Sequence, residues 1–288
     1  IHNFGQVAQA DYPVELYIDG QRRDRRWIDV PPGGEVDVTF LIDFRETGQH
    51  AVEVRLSPDT LPTDNARYRI IEVRNKVPIL LISGESPSPG EVGATEYVGT
   101  ALAPGWLLGE TAEDHLSPTR LAPTHLRAGE LEEFPTIVLI DVATLEPVHI
   151  AALRQYVRSG GGLLIIPGER MSASQYNEQL YQDGEGLLPA RINMPGILDE
   201  PEPVFLSPES YDHPVLSLSS DPAYGDLSQT RFQRTVLLDV PTTSRVVCRF
   251  NNGRPAIVER SFGKGRVMVL ASGLGRDWGN FVWKPAFL

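Results

Sequence analysis

The stretch RSGGGLLIIPGER (158–170) runs from a helix end through three glycines and a short apolar strand into an abrupt turn. Turns of this kind are a place where enzymes present a nucleophile. Here the turn offers Pro167 and Gly168, which have no reactive side chain, so no nucleophile is expected on it. Phosphate loops run strand first and helix second, whereas the glycines at 160–162 follow a helix and precede a strand. Gly160 is expected to cap that helix, and no nucleotide is expected on the loop. Cys248, the only cysteine, alternates with Arg249 in RVVCRF. A reactive thiol needs a polar or cationic setting and a nearby base, so a small buried side chain is the expected role. The histidines, His2, His50, His115, His125, His149 and His213, show no His-x-x-x-His spacing. His149 is expected on the exposed side of a helix, and His213 in a turn held by Pro214. PDTLPTDN (58–65) gathers Asp59, Asp64 and Asn65, but a calcium loop would alternate oxygen ligands and close on a glutamate. A turn is expected there instead. No catalytic residue, metal ligand or cofactor is assigned.

A small-molecule crevice is the better-founded expectation. Open parallel sheets bind ligands beyond the carboxyl ends of their strands, where strand order reverses. The residues that would gather there are Ser83 and Glu85 after a first strand and Asp141 at the end of another. Glu169 and Arg170 follow a third, and Arg276 and Asp277 follow the last. Acidic groups converge with arginines in this set, so internal ion pairing is the structural alternative.

These residues need elements to position them, and the chain has two textures. Over 1–75, VELYID (14–19), EVDVTFLIDF (35–44) and HAVEVRLS (50–57) alternate apolar and polar residues. That is the period of strands with one dry and one wet face. DG at 19–20, PPGG at 31–34 and TG at 47–48 punctuate them as turns. Short strands at this spacing predict an immunoglobulin-like β-sandwich over 1–75. After Lys76 the runs VPILLIS (77–83), TIVLIDV (136–142), GLLIIP (162–167) and RVMVLAS (266–272) are continuously apolar, as in strands buried on both faces. EPVHIAALRQYVRSGG between the second and third runs predicts a helix opened by Pro147, with Ile150, Leu153 and Val157 on one stripe. Further helices are predicted over 91–103 and 172–184, and hairpin strands around NNG and GKG. Residues 78–288 are thus expected to form a three-layer α/β domain with a mostly parallel sheet.

The balance of 26 Lys and Arg against 38 Asp and Glu gives a net charge of −12. QRRDRR (21–26) is the one dense basic run and is expected at a solvated hairpin tip. A nucleic-acid site needs a basic face, so no nucleic-acid partner is expected. One cysteine excludes an internal disulfide. No apolar run approaches the roughly 18 residues of a membrane span.

Family patterns become visible at this scale. Residues 27–73, with their Pro-Gly turn, alternating strand, Gly48 before a strand and DTLPTDN, resemble the CARDB-like immunoglobulin-type modules of bacterial surface and membrane proteins. The region from Pro78 onward is similar to class I glutamine amidotransferase-like domains of flavodoxin-like fold. The branch of trehalose-utilisation-type proteins, with a glycine triplet before the elbow strand, is the nearest pattern. The tandem resembles part of aerotolerance-operon-type, Bat-like membrane proteins. In true amidotransferases the elbow carries a cysteine, with a His and a Glu later in the chain. Ile166-Pro167-Gly168-Glu169-Arg170 departs from this, so the resemblance implies the fold without the reaction.

The expected function is therefore a non-catalytic interaction or ligand-sensing region of a larger membrane-associated bacterial protein. Its partners would be proteins or other domains of the same chain, together with a small ligand. The alternative is a hydrolase or amidotransferase relative with an unorthodox carboxylate site around Glu85, Asp141 and Glu169. A carboxylate whose pKa is raised by burial, beside a second group in a cleft, would point that way. A carbohydrate-binding role rests only on four tryptophans and the sandwich. The chain opens on Ile1 and ends on Phe281, Val282, Trp283, Phe287 and Leu288 beside Lys284. Aromatics beside a lysine suit a membrane interface. The expectation is an extracytoplasmic region, anchored by a membrane span outside this segment, unless the terminal aromatics tuck onto the α/β core.

Overall fold

Alternation in the first thirty residues folds into a hairpin. β1 (Gln9–Ile18) and β2 (Gln21–Val30) pair antiparallel across Asp19 and Gly20, both at positive φ. Two such residues give the twist that matches flanking strands. The computed structural model describes all residues except 59–62, 87–90, 110–113, 209–212 and Leu288. It divides into two units, Ile1–Asn75 and Lys76–Leu288.

In the first unit β3 (Gly48–Leu56) pairs with β1, and β4 (Ala66–Val73) with β3, giving one antiparallel sheet in the order β2-β1-β3-β4. Val14, Leu16, Ile18 and Val30 are its buried apolar residues. The opposite face is charged: Glu15 pairs with Arg22 and Arg25, and Arg55 pairs with Glu53 and lies over the Tyr17 ring. The expected sandwich is corrected by this topology, since no second sheet forms among the described residues of the unit. Residues 35–44 still alternate between half-buried and exposed positions, yet only Glu35 pairs, in a bridge with His2. Period-two alternation reports an extended chain with one face turned inward, and it does not require a ladder partner.

The second unit contains β5 (Val77–Ser83), β6 (Leu116–Leu121), β7 (Thr136–Ile140), β8 (Gly162–Ile166), β9 (Arg191–Val204), β10 (Leu206–Ser207), β11 (Phe232–Asp239), β12 (Arg245–Phe250), β13 (Pro255–Phe262) and β14 (Gly265–Leu270). Its helices are α1 (Ala94–Leu102), α2 (Pro147–Ser159) and α3 (Ala173–Tyr176). Eight strands form one sheet in the order β10-β12-β13-β14-β8-β7-β5-β6, and β9 pairs separately with β11. From β14 to β6 neighbours are parallel, whereas β10, β12, β13 and β14 join antiparallel. The expected three-layer α/β domain with a mostly parallel sheet is thereby corrected to a large mixed sheet with few helices. The reason lies in the tight turns at 251–254 and 263–264. Hairpin strands after them return into the same sheet and extend it, where a crossover helix would have kept it parallel.

Helix α2 forms where Pro147 opens it, with Ile150, Leu153, Tyr156 and Val157 buried. His149 is buried as well, against the expectation of an exposed position. The helix expected over 172–184 breaks up after α3 into a wide turn and a 3₁₀ turn, with Gln182 and Asp183 at positive φ. At the break the Asn177 side chain donates to and accepts from the backbone of Ile192 in β9. Near the chain end, Phe281 packs on Phe232 at 5.6 Å and meets Phe287 edge-on at 5.3 Å, while Trp283 is exposed. Leu288 lies outside the described residues.

Candidate ligand-binding site

The parallel strands are laid down in an order that reverses once. The chain runs from β5 to β6 on one side, then crosses back to β7 on the other side of β5 and continues to β8 and β14. Loops leaving β5 and β7 at their carboxyl ends therefore diverge and leave a crevice between them. A cavity of about 520 Å³ lies there, lined by Glu85, Asp141, Glu169, Arg276, Asp277 and Trp278 among others. Its size falls in the ordinary range for small-molecule sites. Of the residues expected from sequence, the structure brings five to the cavity wall. Ser83 and Arg170 stand behind it: the Ser83 and Thr95 hydroxyls are hydrogen-bonded at 2.7 Å, and the Arg170 guanidinium donates to the Gly84 carbonyl.

Asp141 follows directly on β7 with φ at +47°. Its N–H donates to Ile166 of β8 at 3.0 Å, and the neighbouring Gly84 N–H donates to Ile140 at 2.9 Å. The side chain is buried, with 8% of the residue exposed. Its Oδ1 accepts the Arg170 N–H at 2.8 Å. Burial pushes the carboxyl up to about 6 from 3.8; the Arg170 N–H opposes this and the negative charge of Glu85 reinforces it, with smaller opposing effects from Arg170 and Glu169. The folded chain thus holds this proton more tightly than the unfolded chain does. Stability contributed by Asp141 is fully present below pH 3.8 and is lost as pH rises through about 6. Asp141→Asn cannot ionise and escapes that loss, and asparagine tolerates positive φ. Urea denaturation is expected to show the variant gaining on the wild type between pH 4 and pH 7. A difference that does not change with pH would exclude the buried-carboxyl account.

Glu85 has a different task. Its carboxylate accepts the N–H groups of Ala94 and Thr95, each at 2.8 Å, and the Thr95 hydroxyl at 2.6 Å. Gly93 at the start of α1 has no side chain to cap the helix, so a carboxylate from the preceding loop satisfies the orphan donors. Glu96 completes the arrangement by accepting the Gly93 N–H at 3.0 Å. Glu85→Ala is expected to cost about 1–2 kcal/mol, the range for losing a helix cap. Denaturant midpoints would check it, and an unchanged midpoint would contradict the capping role. Glu169 forms an ion pair with Arg234, which also pairs with Asp199 and lies over the Trp278 ring at 5.1 Å.

The expected ion pairing is therefore present in part, but with Arg234 of β11 as the cation. Nothing in the local sequence of β11 signalled this partner. Trp278 was also missed, although it directly follows the flagged Arg276 and Asp277. Elsewhere, Cys248 is buried in β12, two strands beyond β14. His213 is buried too, its Nδ1 accepting the Val215 N–H at 3.2 Å and its Nε2 facing Glu259 at 3.2 Å. Among the described residues no group of three or more His, Cys, Asp or Glu is placed to hold a metal ion. Asp59 of the 58–65 run lies outside them.

No family model matches the chain, and no curated protein matches it. Solved structures do. The cytoplasmic protein STM1381 from Salmonella typhimurium LT2 is 18% identical, with 70% of this chain and 90% of that one covered at a TM-score of 0.54. The cytoplasmic protein STM3548 from Salmonella typhimurium is 19% identical, with 73% and 94% covered at 0.56. A β-galactosidase from Rahnella sp. R3 is 9% identical over 75% of this chain and 30% of its own, at 0.47, too loose a match to inform the fold.

These findings overturn two expectations. The tandem of a CARDB-like module and an amidotransferase-like domain, Bat-like or otherwise, finds no family match, and among the described residues no sandwich forms to carry its first half. The motifs behind it were Pro-Gly turns and a glycine triplet, which mark tight turns in unrelated sheets. The membrane-anchored, extracytoplasmic placement is likewise not upheld. Both similar Salmonella proteins are described as cytoplasmic, and no helix among the described residues is long and apolar enough to cross a membrane. At below 20% identity, what this chain shares with STM1381 and STM3548 is the fold, without an activity attached.

Proposed function

We propose that Lys76–Leu288 is a small-molecule-binding, ligand-sensing module that holds its ligand without converting it. The observation that carries this is the cavity at the reversal of strand order, with Asp141 buried in its wall. Binding is favoured over turnover by the commitments of the carboxylates. Acid–base work by a carboxyl pair needs both members available to the substrate. Here Glu85 is bonded to the start of α1 and Glu169 to Arg234, so neither of these two carboxylates is free to share a proton-transfer role with Asp141. A hydrolase reading keeps one specific support, the Asp141 carboxyl raised to about 6, which suits a general acid or base near neutral pH.

A ligand-observed NMR screen of small polar compounds against the full chain tests the proposal. Binders are expected to raise the melting temperature of the wild type, to lose that effect in Asp141→Asn, and to be recovered chemically unchanged. Recovery of a converted product, abolished in Asp141→Asn, would replace this reading with the hydrolase one. A screen that finds no binder would leave the cavity without a ligand role.

A further inference from the structure

We infer that the cavity takes an organic cation, a protonated amine, and that Asp141 Oδ2 is the acceptor for its ammonium group. The inference rests on the ligand-binding reading above and specifies its chemistry. Five carboxylates line the cavity, Glu85, Glu91, Asp141, Glu169 and Asp277, against one cation, Arg276. A cleft lined by one sign of charge focuses its field and concentrates ligands of the opposite sign. Two of these acids serve as field and not as contacts, because Glu85 and Glu169 are already bonded within the protein. Asp141 differs. It is more than nine-tenths buried, lines the cavity, and has one oxygen on the Arg170 N–H. Its other oxygen receives no hydrogen bond among the described residues. With one oxygen bonded to the Arg170 N–H and the other without a donor, on a residue that lines the cavity, an ammonium group supplies the missing donor and the opposite charge together. The same acids are not placed as a metal cage among the described residues, which favours a single-point organic cation over a divalent ion.

Ammonium binding favours the ionised carboxyl, so it is linked to the titration of Asp141. The groups facing Asp141 or sharing the cavity with it are Glu85 and Glu91 before α1, Glu169 and Arg170 after β8, Tyr176 of α3, and Arg276 and Asp277 after β14. Tyr176 is held protonated by burial, and the proximity of Asp141 adds to this. Since aliphatic amines keep their proton to roughly pH 10, a pH dependence near 6 belongs to the protein.

The experiment is calorimetric titration of the full chain with three size-matched probes: 1,4-diaminobutane, 1,4-butanediol and succinate. The diamine is expected to bind, with the diol and the dicarboxylate at least about tenfold weaker, a difference of roughly 1.4 kcal/mol. Its affinity is expected to rise as pH increases through about 6 and then level off, with proton release on binding seen as a heat that depends on the buffer. Asp141→Asn, checked for folding by its melting temperature, is expected to weaken the diamine at least about tenfold at pH 7.5. It should also abolish the pH dependence. Equal or tighter binding of the diol or succinate overturns the inference, as does failure of the diamine to bind. In either case the NMR screen separately reports whether the cavity binds anything, so the two readings fail independently. Diamine binding that Asp141→Asn leaves unchanged would remove Asp141 as the acceptor and also overturn it.

Discussion

Gly84→Ala is expected to destabilise the protein by about 3 kcal/mol or more, at the upper end of what overpacking costs. A Cβ added at Gly84 would stand 2.0 Å from the carbonyl oxygen of Asp141 and 2.8 Å from its carbonyl carbon. No rotamer relieves a clash with backbone. That backbone is pinned on both sides, by Asp141 N–H to Ile166 and by Gly84 N–H to Ile140. Gly168 makes an instructive comparison. Its added Cβ would fall 2.3 Å from Asp141 Cγ and 2.4 Å from Oδ1. There the side chain can swing away, at the loss of its bond to the Arg170 N–H, so about 2 kcal/mol is expected. Gly129, with nothing within 4 Å of an added Cβ, is the control and should change by less than about 0.5 kcal/mol. Urea midpoints with unchanged m-values would measure the series. A Gly84→Ala protein within about 1 kcal/mol of wild type would show that the loops after β5 and β7 are not held as tightly as this geometry requires.

Phe232→Ala is expected to cost about 3–5 kcal/mol. The ring is 1% exposed and meets Phe250 of β12 edge-on at 5.5 Å and Phe281 at 5.6 Å. It thus joins three parts of the second unit: the β9–β11 pair, the antiparallel end of the large sheet, and the residues after Asn280. Truncation leaves a void between elements that cannot collapse together, because β11 and β12 are each fixed in a ladder. Phe281→Ala in the same background should cost less than it does alone, since the two rings share one contact. Met194→Ala, at a residue 74% exposed on β9, should stay within about 0.5 kcal/mol. If Phe232→Ala proved as mild as Met194→Ala, the ring cluster would not be the link between these elements.

Local physics was enough for the strands of the second unit that are dry on both faces. VPILLIS, TIVLIDV, GLLIIP and RVMVLAS contain few polar side chains because both faces of β5, β7, β8 and β14 are largely buried. The same holds for α2, whose opening proline and apolar stripe are local features. The neighbourhood of the cavity followed from those strands by a general rule, since ligands collect beyond the carboxyl ends where strand order reverses. Where a residue answers to a partner distant in sequence, the local reading was incomplete. The place of Glu85 beside the crevice was legible, but its bonds to Ala94 and Thr95 depend on how α1 returns over β5. Glu169 was legible as well, while its cation on β11 was not.

By itself the sequence determined that the alternating runs of the first unit and the apolar runs of β5, β7, β8 and β14 are extended, that α2 is helical, and that the chain changes texture near Lys76, because periodicity and turn chemistry are properties of neighbouring residues. Only the tertiary structure decided what those segments pair with. Residues 35–44 alternate as strictly as β1 but form no ladder, and the hairpin strands β12 and β13 extend the parallel strands into one mixed sheet. It alone decided that Asp141, among the charged residues expected at the crevice, would be the one deprived of water, with Ser83 buried nearby. The physical reason is that hydrogen-bond pairing and desolvation are set by surfaces brought together from distant positions. Burial, with Gly168 packed close against its carboxyl, raises Asp141, and the residue lines the cavity.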